Sequence, residues 1–363
     1  MNILYADLER EWRGGQSQAL LTLRGLGAAG HHVELLAAQK SPLAQRSSAE
    51  GITVTLVPRF ALRAAAAGKI RSLLDDGRFA LLHMNEPHAL TAAWLAGAHN
   101  RVPLLLSRRI GFPLQTNWVS QARFRAVTRF LPNSQAVAES LLRCGIVRNR
   151  ISVVNEGVEI PPPTTSSQRA ESRHHWGVGD EHFLFGCVSV FVKEKGQRHL
   201  IDALSQLRAT HPNARLLLAG DGPCRAELAA LTKKLGQEDA LLTPGFVQDV
   251  ASVYAALDAF VFPSEFEGLG TALQSAMALA IPAISTARGA LGEVVTNNKT
   301  ALVVEPDGAE FAAAMQLLMD DPALRQRLGE AGRREVAARF SAQRMVENTI
   351  KVYEEVLREA RKE

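Results

Sequence analysis

Short apolar runs alternating with helix-like segments recur along this chain in two sets, separated by one proline-rich interruption. "MNILYAD", "HHVELLAA", "GITVTLVP", "FALLHMN", "VPLLLSRR", "RFLPNS" and "ISVVNEG" make the first set, with helical segments such as 16–29, 61–76 and 88–98 between most of them. A strand that is apolar on both faces must be covered on both, and a parallel sheet with crossover helices does this. At 160–169 stands "IPPPTTSSQR", whose prolines and hydroxyls suit neither helix nor sheet. The alternation then restarts with "HFLFGCVSVF", "ARLLLAGDG", "ALLTPGF", "AFVFPS", "IPAISTA" and "TALVVEP". The expected fold is α/β: two doubly wound, Rossmann-like parallel-sheet domains over 1–163 and 164–340. Ligands of such sheets bind at the carboxyl ends of the strands, so the two are expected to face each other across a cleft. The stretch 341–363 has helical periodicity with solvated charge and begins at Ser341, a candidate cap.

A length of 363 residues also points to two domains. Hydrophobic content of 47% with 21% charged residues describes a soluble globular protein, and no apolar run reaches the length of a membrane span. "MNILYADLEREW" has no basic region followed by an apolar core and a small-residue cleavage site, so export is not expected. Cys144, Cys187 and Cys224 lie far apart in or beside apolar stretches, without a C-x-x-C pair, and read as packing residues in a reducing cytoplasm. The net charge of +4 hides an asymmetry: residues 1–170 hold 20 Lys+Arg against 11 Asp+Glu, the remainder 21 against 26. The first half is therefore expected to meet something anionic. Its basic residues are scattered and not interleaved with stacking aromatics, which argues against nucleic acid and for an anionic membrane surface or a phosphorylated acceptor.

"FPSEFEGLGTALQSAMALAIPAI", residues 262–284, runs an apolar strand into Glu265 and Glu267, then a glycine turn, then an uncharged helix from about Thr271 to Ala280. A helix start offers unpaired N–H groups and the positive end of a dipole, and glycine lets a phosphate approach closely. Two carboxylates would repel a bare phosphate, but they suit a phosphate that carries a sugar whose hydroxyls need acceptors. The ordinary alternative is that both are first-turn helix acids.

This stretch resembles the signature of family 4 of the GT-B fold retaining glycosyltransferases. "EWRGGQSQALLTLRGLGAAGHHVELL", "NSQAVAESLLRCGIVRNRISVVNEGVE", "KEKGQRHLIDAL", "LLLAGDGP" and "GFVQDVASVYAALDAFVFPSEFEGLG" follow in that family's order and spacing across nearly the whole chain. The resemblance implies a GT-B fold with an acceptor-binding first domain, a nucleotide-sugar-binding second domain, and a C-terminal helix, 341–363, that packs back on the first. It implies that Glu267 accepts hydrogen bonds from the donor sugar, that Gly268, Leu269, Gly270 and Thr271 present backbone N–H groups to the diphosphate, and that Lys195 neutralises it. Gly14 and Gly15 should form the first-domain loop that approaches the donor phosphate. It further implies a nucleotide diphosphate sugar as co-substrate, with no further cofactor. No D-x-D pair and no His/Cys cluster with metal-ligand spacing occurs, so no metal is expected either.

Three departures stand out. The family's second glutamate, eight positions after the first, falls at Ser275, with Gln274 beside it; the arginine that usually precedes the lysine falls at Val190; and a histidine common at the end of the fifth strand falls at Arg109. Arg108 and Arg109, at the carboxyl end of a first-domain strand, are expected to replace the missing cation and stabilise the leaving phosphate; the alternative is that they contact acceptor or lipid phosphate. His83 and His88 also sit where a strand meets a helix, as cap or core residues or as part of the site. "RFALRAAAAGKIRSLL" (59–74) and "QARFRAVTRF" (121–130) set Arg and Lys beside Phe, Leu and Ile, as a helix on anionic lipid would. The expected activity is retaining transfer of a sugar to a lipid-linked or saccharide acceptor in envelope, lipopolysaccharide or glycolipid synthesis, at the inner face of the cytoplasmic membrane. A weakly active sugar-nucleotide-binding protein, or an epimerase or phosphorylase on the same fold, stands as the alternative.

Overall fold

The computed structural model describes residues 1–109 and 117–361; Lys362 and Glu363, the end of the expected C-terminal helix, lie outside the described residues. Contacts divide the chain into two compact units, Met1–Gly157 together with Ala342–Glu363, and Val158–Ser341. The division precedes the proline run because Val158 already belongs to the second unit: its N–H donates to the Phe340 carbonyl at 2.9 Å and it bridges Ser341.

In unit 1, strands β1 (Asn2–Asp7), β2 (His32–Ala38), β3 (Thr53–Val57), β4 (Leu81–Met84), β5 (Leu104–Arg108) and β6 (Arg129–Pro132) form one sheet in the order β3-β2-β1-β4-β5-β6. The strands pair in parallel, with Asn2 to Asp7 in register with His32 to Ala37 and Ile3 to Ala6 with Leu81 to Met84. Helices α1 (Gly14–Ala28), α2 (Pro42–Ala49), α3 (Leu62–Asp75), α4 (Pro87–Leu95), α5 (Trp118–Arg125) and α6 (Gln135–Arg143) lie between successive strands or follow the last. Alternate residues of β1 serve the two faces: Leu4 and Ala6 join one apolar cluster, Ile3 and Tyr5 the other. That is why these strands read as unbroken apolar runs. "ISVVNEG" is a correction. Of it only Ile151 bridges β6, at Phe130, and no strand forms. Ser152 and Val154 donate to the Phe130 and Pro132 carbonyls, but Pro132 has no N–H to return a bond, so the ladder stops.

Unit 2 repeats the plan. Strands β7 (Phe183–Val188), β8 (Ala214–Ala219), β9 (Leu241–Gly245), β10 (Ala259–Phe262), β11 (Ala283–Ser285) and β12 (Leu302–Val303) form a sheet in the order β12-β11-β10-β7-β8-β9, again parallel. Its helices are α7 (Ser166–His175), α8 (Gln197–Leu207), α9 (Arg225–Lys234), α10 (Val250–Ala256), α11 (Thr271–Ala278), α12 (Gly308–Asp320) and α13 (Pro322–Arg339). The hydroxyl-rich run at 160–169 is corrected too: Thr165 and Gln168 make a reciprocal capping box that starts α7 at Ser166, so its hydroxyls begin a helix.

The last helix, α14 (Ala342–Ala360), is part of unit 1. Its buried face of Met345, Val346, Val352, Tyr353 and Val356 joins the apolar cluster of β1 and α1. Gly25 permits this approach, since a Cβ there would lie 2.3 Å from Val346 Cγ2. Among the described residues no helix is long and apolar enough to cross a membrane.

Candidate functional site

The strand order reverses on either side of the first strand of each sheet, so loops leaving neighbouring strands diverge and open a crevice at the carboxyl ends. In unit 2 that point lies between β7 and β10. The loop after β7 carries Lys195 and the loop after β10 carries Glu267, and the two side chains form an ion pair. Both are largely buried, at 18% and 16% side-chain exposure, so the pair is less screened than a surface one. Glu267 Oε1 also accepts from the Gly268 N–H at 3.1 Å. The loops are sewn together beneath: Glu265 N donates to the Glu194 carbonyl at 2.8 Å, and His199 Nε2 lies 3.2 Å from Glu265 Oε1.

Beyond Glu267 the chain passes through Gly268, Leu269 and Gly270 into α11. Gly270 takes the cap position with φ of 63° and supplies no side-chain cap, and the first turn of α11 has no acidic residue. Leu269 and Gly270 are buried, while Gly268 and Thr271 are half-buried. Ser275 is half-buried on α11, and the Tyr254 phenol donates to the Ala272 carbonyl of the same helix at 3.0 Å. Gln274 is buried, donates to the Leu269 carbonyl at 3.3 Å and has an Oε1 without a partner. Val190 is 49% exposed and brings no charge to the β7 loop. The backbone of Glu267 is braced by a third loop, after β11: Ala290 N donates to the Glu267 carbonyl at 3.2 Å. The sequence reading missed this brace, because nothing in "TARGALGE" signals a close approach.

In unit 1 the corresponding point lies between β1 and β4, and a buried polar network fills it. Asp7 Oδ2 accepts from Asn85 Nδ2 at 2.6 Å and from Gln16 Nε2 at 3.0 Å, and the Tyr5 phenol donates to Asn85 Oδ1 at 2.9 Å. Burial pushes the Asp7 carboxyl up, and these hydrogen bonds oppose the shift. Asn85 Nδ2 also donates to the Gly15 carbonyl at 3.2 Å, which anchors the Gly14–Gly15 turn that opens α1. Gly14 is exposed, with nothing within 4 Å of where a Cβ would stand.

Arg109, expected to turn toward a phosphate, turns instead onto its own unit. Its Nε lies 2.9 Å from Glu156 Oε1 and its Nη1 donates to the Asn85 carbonyl at 3.0 Å. A largely buried carboxylate neutralises it there. Arg108 is half-buried, and burial lowers the pKa of its guanidinium. His83 is a core residue: Nδ1 meets the Tyr353 phenol of α14 and Nε2 lies 2.8 Å from Ser107 Oγ. Burial, then the Arg109 charge, lowers its pKa to about 3, so it is neutral at physiological pH. His88 is exposed and its Nδ1 accepts from Arg63.

Glu86 caps α4, accepting from the N–H groups of His88, Ala89 and Leu8. Burial, with the Asp7 charge, raises its pKa from 4.5 to about 7. An acid whose pKa is raised by folding contributes stability that is full below the unfolded value and is lost as pH rises through the folded one. Between pH 5 and 8 the protein is therefore expected to lose stability relative to Glu86→Gln, by on the order of 3 kcal/mol. Thermal melts of both proteins across that range check this, and parallel curves would remove it.

Two family models match the chain, Glycosyltransferase Family 4 over residues 12–160 and Glycosyl transferases group 1 over residues 168–335. The chain is 33% identical over 187 residues to a GDP-mannose-dependent monoacylated alpha-(1-6)-phosphatidylinositol monomannoside mannosyltransferase of Corynebacterium glutamicum, covering 49% of each chain. It thus spans about half the length of that relative. Among solved structures it resembles a glycosyltransferase from Rickettsia africae (TM-score 0.86, 17% identity, 98% of both chains) and the Anabaena protein Alr3699/HepE with UDP-glucose (TM-score 0.83, 21% identity, 98% of this chain and 100% of that one). With one glycosyltransferase model on each half of the chain and that fold along nearly all of it, the chain belongs to the family 4 glycosyltransferases of the GT-B fold.

Proposed function

We propose that this protein transfers a sugar, with retention of anomeric configuration and without a metal, from a nucleotide diphosphate sugar to an acceptor hydroxyl in the synthesis of a cell-envelope glycoconjugate. The observation that carries the reading is the Lys195–Glu267 pair at the point where the unit 2 strand order reverses, beside an uncapped helix start. In this reading Lys195 and the N–H groups of Gly268 to Thr271 take the diphosphate, Glu267 takes the hydroxyls of the sugar, and Ser275 lies toward the ribose. The Corynebacterium relative is named for GDP-mannose and a phosphatidylinositol glycolipid, and the Anabaena structure holds UDP-glucose. Both support a nucleotide-sugar donor, and the first supports a lipid-linked acceptor; we place the transfer at the inner face of the cytoplasmic membrane.

As the sugar–phosphate bond loosens, the acceptor hydroxyl attacks the same face and its proton passes to the leaving phosphate, so no protein base is assigned. The chain positions the partners and stabilises diphosphate charge. We assign Arg109 a positioning role: paired with Glu156 and bonded to Asn85, it braces the network that holds the Gly14–Gly15 turn. Arg108 stays a candidate for acceptor or lipid phosphate.

The exposed, uncharged Val190 favours one second reading, a sugar-nucleotide-binding protein with little turnover. Single-turnover incubation with a panel of sugar nucleotides separates the two. Nucleoside diphosphate release, by transfer or slow hydrolysis, is the expected result; binding without release would establish the second reading.

A further inference from the structure

We propose that unit 1 carries a pocket for a phosphate ester, built on Arg10, Arg63 and the start of α3, and that it selects acceptors bearing such a group. The proposal rests on the reading of the protein as a glycosyltransferase and names the chemistry of its acceptor. A recess of about 470 Å³ lies at the carboxyl end of β1, lined there by Leu8, Glu9 and Arg10, with Ala61 to Ala64 and His88 on the other sides. Its position follows from topology, since β1 borders the reversal of strand order in unit 1. The volume exceeds what one phosphate needs and suits a phosphate together with the group that carries it.

Among the described residues its arginines lack counter-ions. Arg10 donates to the Arg59 carbonyl at 2.9 Å and Arg63 donates to His88 Nδ1, at 3.2 Å from Nε and 2.7 Å from Nη2, yet among the described residues neither meets a carboxylate. Arg123 adds a further positive charge near Arg63. The carboxylate in the lining, Glu9, is turned onto the Arg10 N–H at 2.8 Å. Guanidinium groups that line one recess without a counter-ion are what a phosphate recognises, through paired N–H donors. The backbone agrees. Ala61, immediately before α3, is left-handed (φ 47°, ψ 38°), and the first turn of α3 has neither a side-chain cap nor an acidic residue. Strain in a non-glycine residue clusters at ligand clamps, and an uncapped helix start favours an anion. Phe60, next to Ala61 in the chain, is 89% exposed and offers an apolar surface.

The phosphate ester could belong to a soluble saccharide or to a lipid headgroup. Titration of the full chain with glucose 6-phosphate against glucose, and with phosphatidylcholine vesicles carrying phosphatidic acid against the same vesicles carrying diacylglycerol, distinguishes these sources. Preference for one phosphate-bearing probe over its neutral counterpart is expected, with affinity lowered at least tenfold in Arg63→Ala and in Arg10→Ala. Arg148→Ala makes the same change of charge at an exposed position of unit 1 outside the recess, and should bind as the unaltered protein does. Equal losses in all three variants would reduce the effect to general charge attraction, and no preference for either phosphate-bearing probe would remove the pocket; both outcomes overturn the proposal. Donor hydrolysis by the unaltered protein is followed separately, so its absence would count against sugar transfer while the titrations still judge the pocket.

Discussion

Glu267→Gln is expected to slow turnover about a hundredfold or more, on the scale of roughly 3 kcal/mol for a charge-assisted contact that strengthens as the sugar becomes cationic, while the nucleoside diphosphate product binds at least as well as before. The carboxamide keeps the size and one acceptor oxygen of the side chain but loses its charge. In the structure that charge is spent on Lys195. For both groups to serve the donor, the pair must part, with Lys195 turning to the diphosphate and Glu267 to the sugar hydroxyls. The substitution releases Lys195 in advance, which is why product affinity should hold or rise. Rate measurement beside titration of product tests both halves. A fall in product affinity of tenfold or more would mean that Glu267 acts by positioning Lys195, and intact turnover would leave Glu267 as an acid that merely helps to start a helix.

The two members of that pair were singled out by motifs that resemble the family's; that they meet follows from the strands that precede them. "HFLFGCVSVF" and "AFVFPS" read as buried strands from continuous apolar character, and the residues that follow two such strands, neighbours in a parallel sheet, must meet at its carboxyl edge. Helix starts that depend on one hydroxyl were less legible. Thr165 caps α7 from within a run that proline content marks as a linker. What could not be read were encounters between residues with no local signal. Arg109 lies 47 positions from Glu156 in the chain, and only the return of the chain alongside β6 brings the carboxylate to it. The same holds for Tyr353 on His83, which needs α14 to come back onto β4. Sequence placed Arg109 correctly at the end of β5, but the direction of a long side chain there depends on which partner burial leaves within reach.

Gly289→Ala is expected to lower stability by about 2–4 kcal/mol and turnover by about a hundredfold together. Gly289 has φ of 64°, in the left-handed region, and a Cβ built on it would stand 2.2 Å from the Glu267 carbonyl oxygen and 3.1 Å from the Glu267 nitrogen. The backbone conformation alone costs an alanine roughly 1 kcal/mol or more. The contact adds to this, because a main-chain carbonyl cannot swing aside as the end of a long side chain can. Either the loop after β11 retreats and gives up the bond from Ala290 N to the Glu267 carbonyl, or Glu267 itself shifts. A displacement of about 1 Å at a group that orients the substrate is enough for a hundredfold loss. Gly292→Ala is the control: its φ is not in the left-handed region and the nearest atom to its Cβ lies at 3.4 Å, an ordinary contact, so its effect should stay within about 0.5 kcal/mol. The pattern also separates placement from chemistry, since Glu267→Gln removes a charge while leaving the backbone as it is. Thermal melts and turnover of the three variants side by side test the argument. A Gly289→Ala protein that melts and turns over like the original would show that the loop after β11 yields freely, and that the position of Glu267 is set by Lys195 and the β10 turn alone.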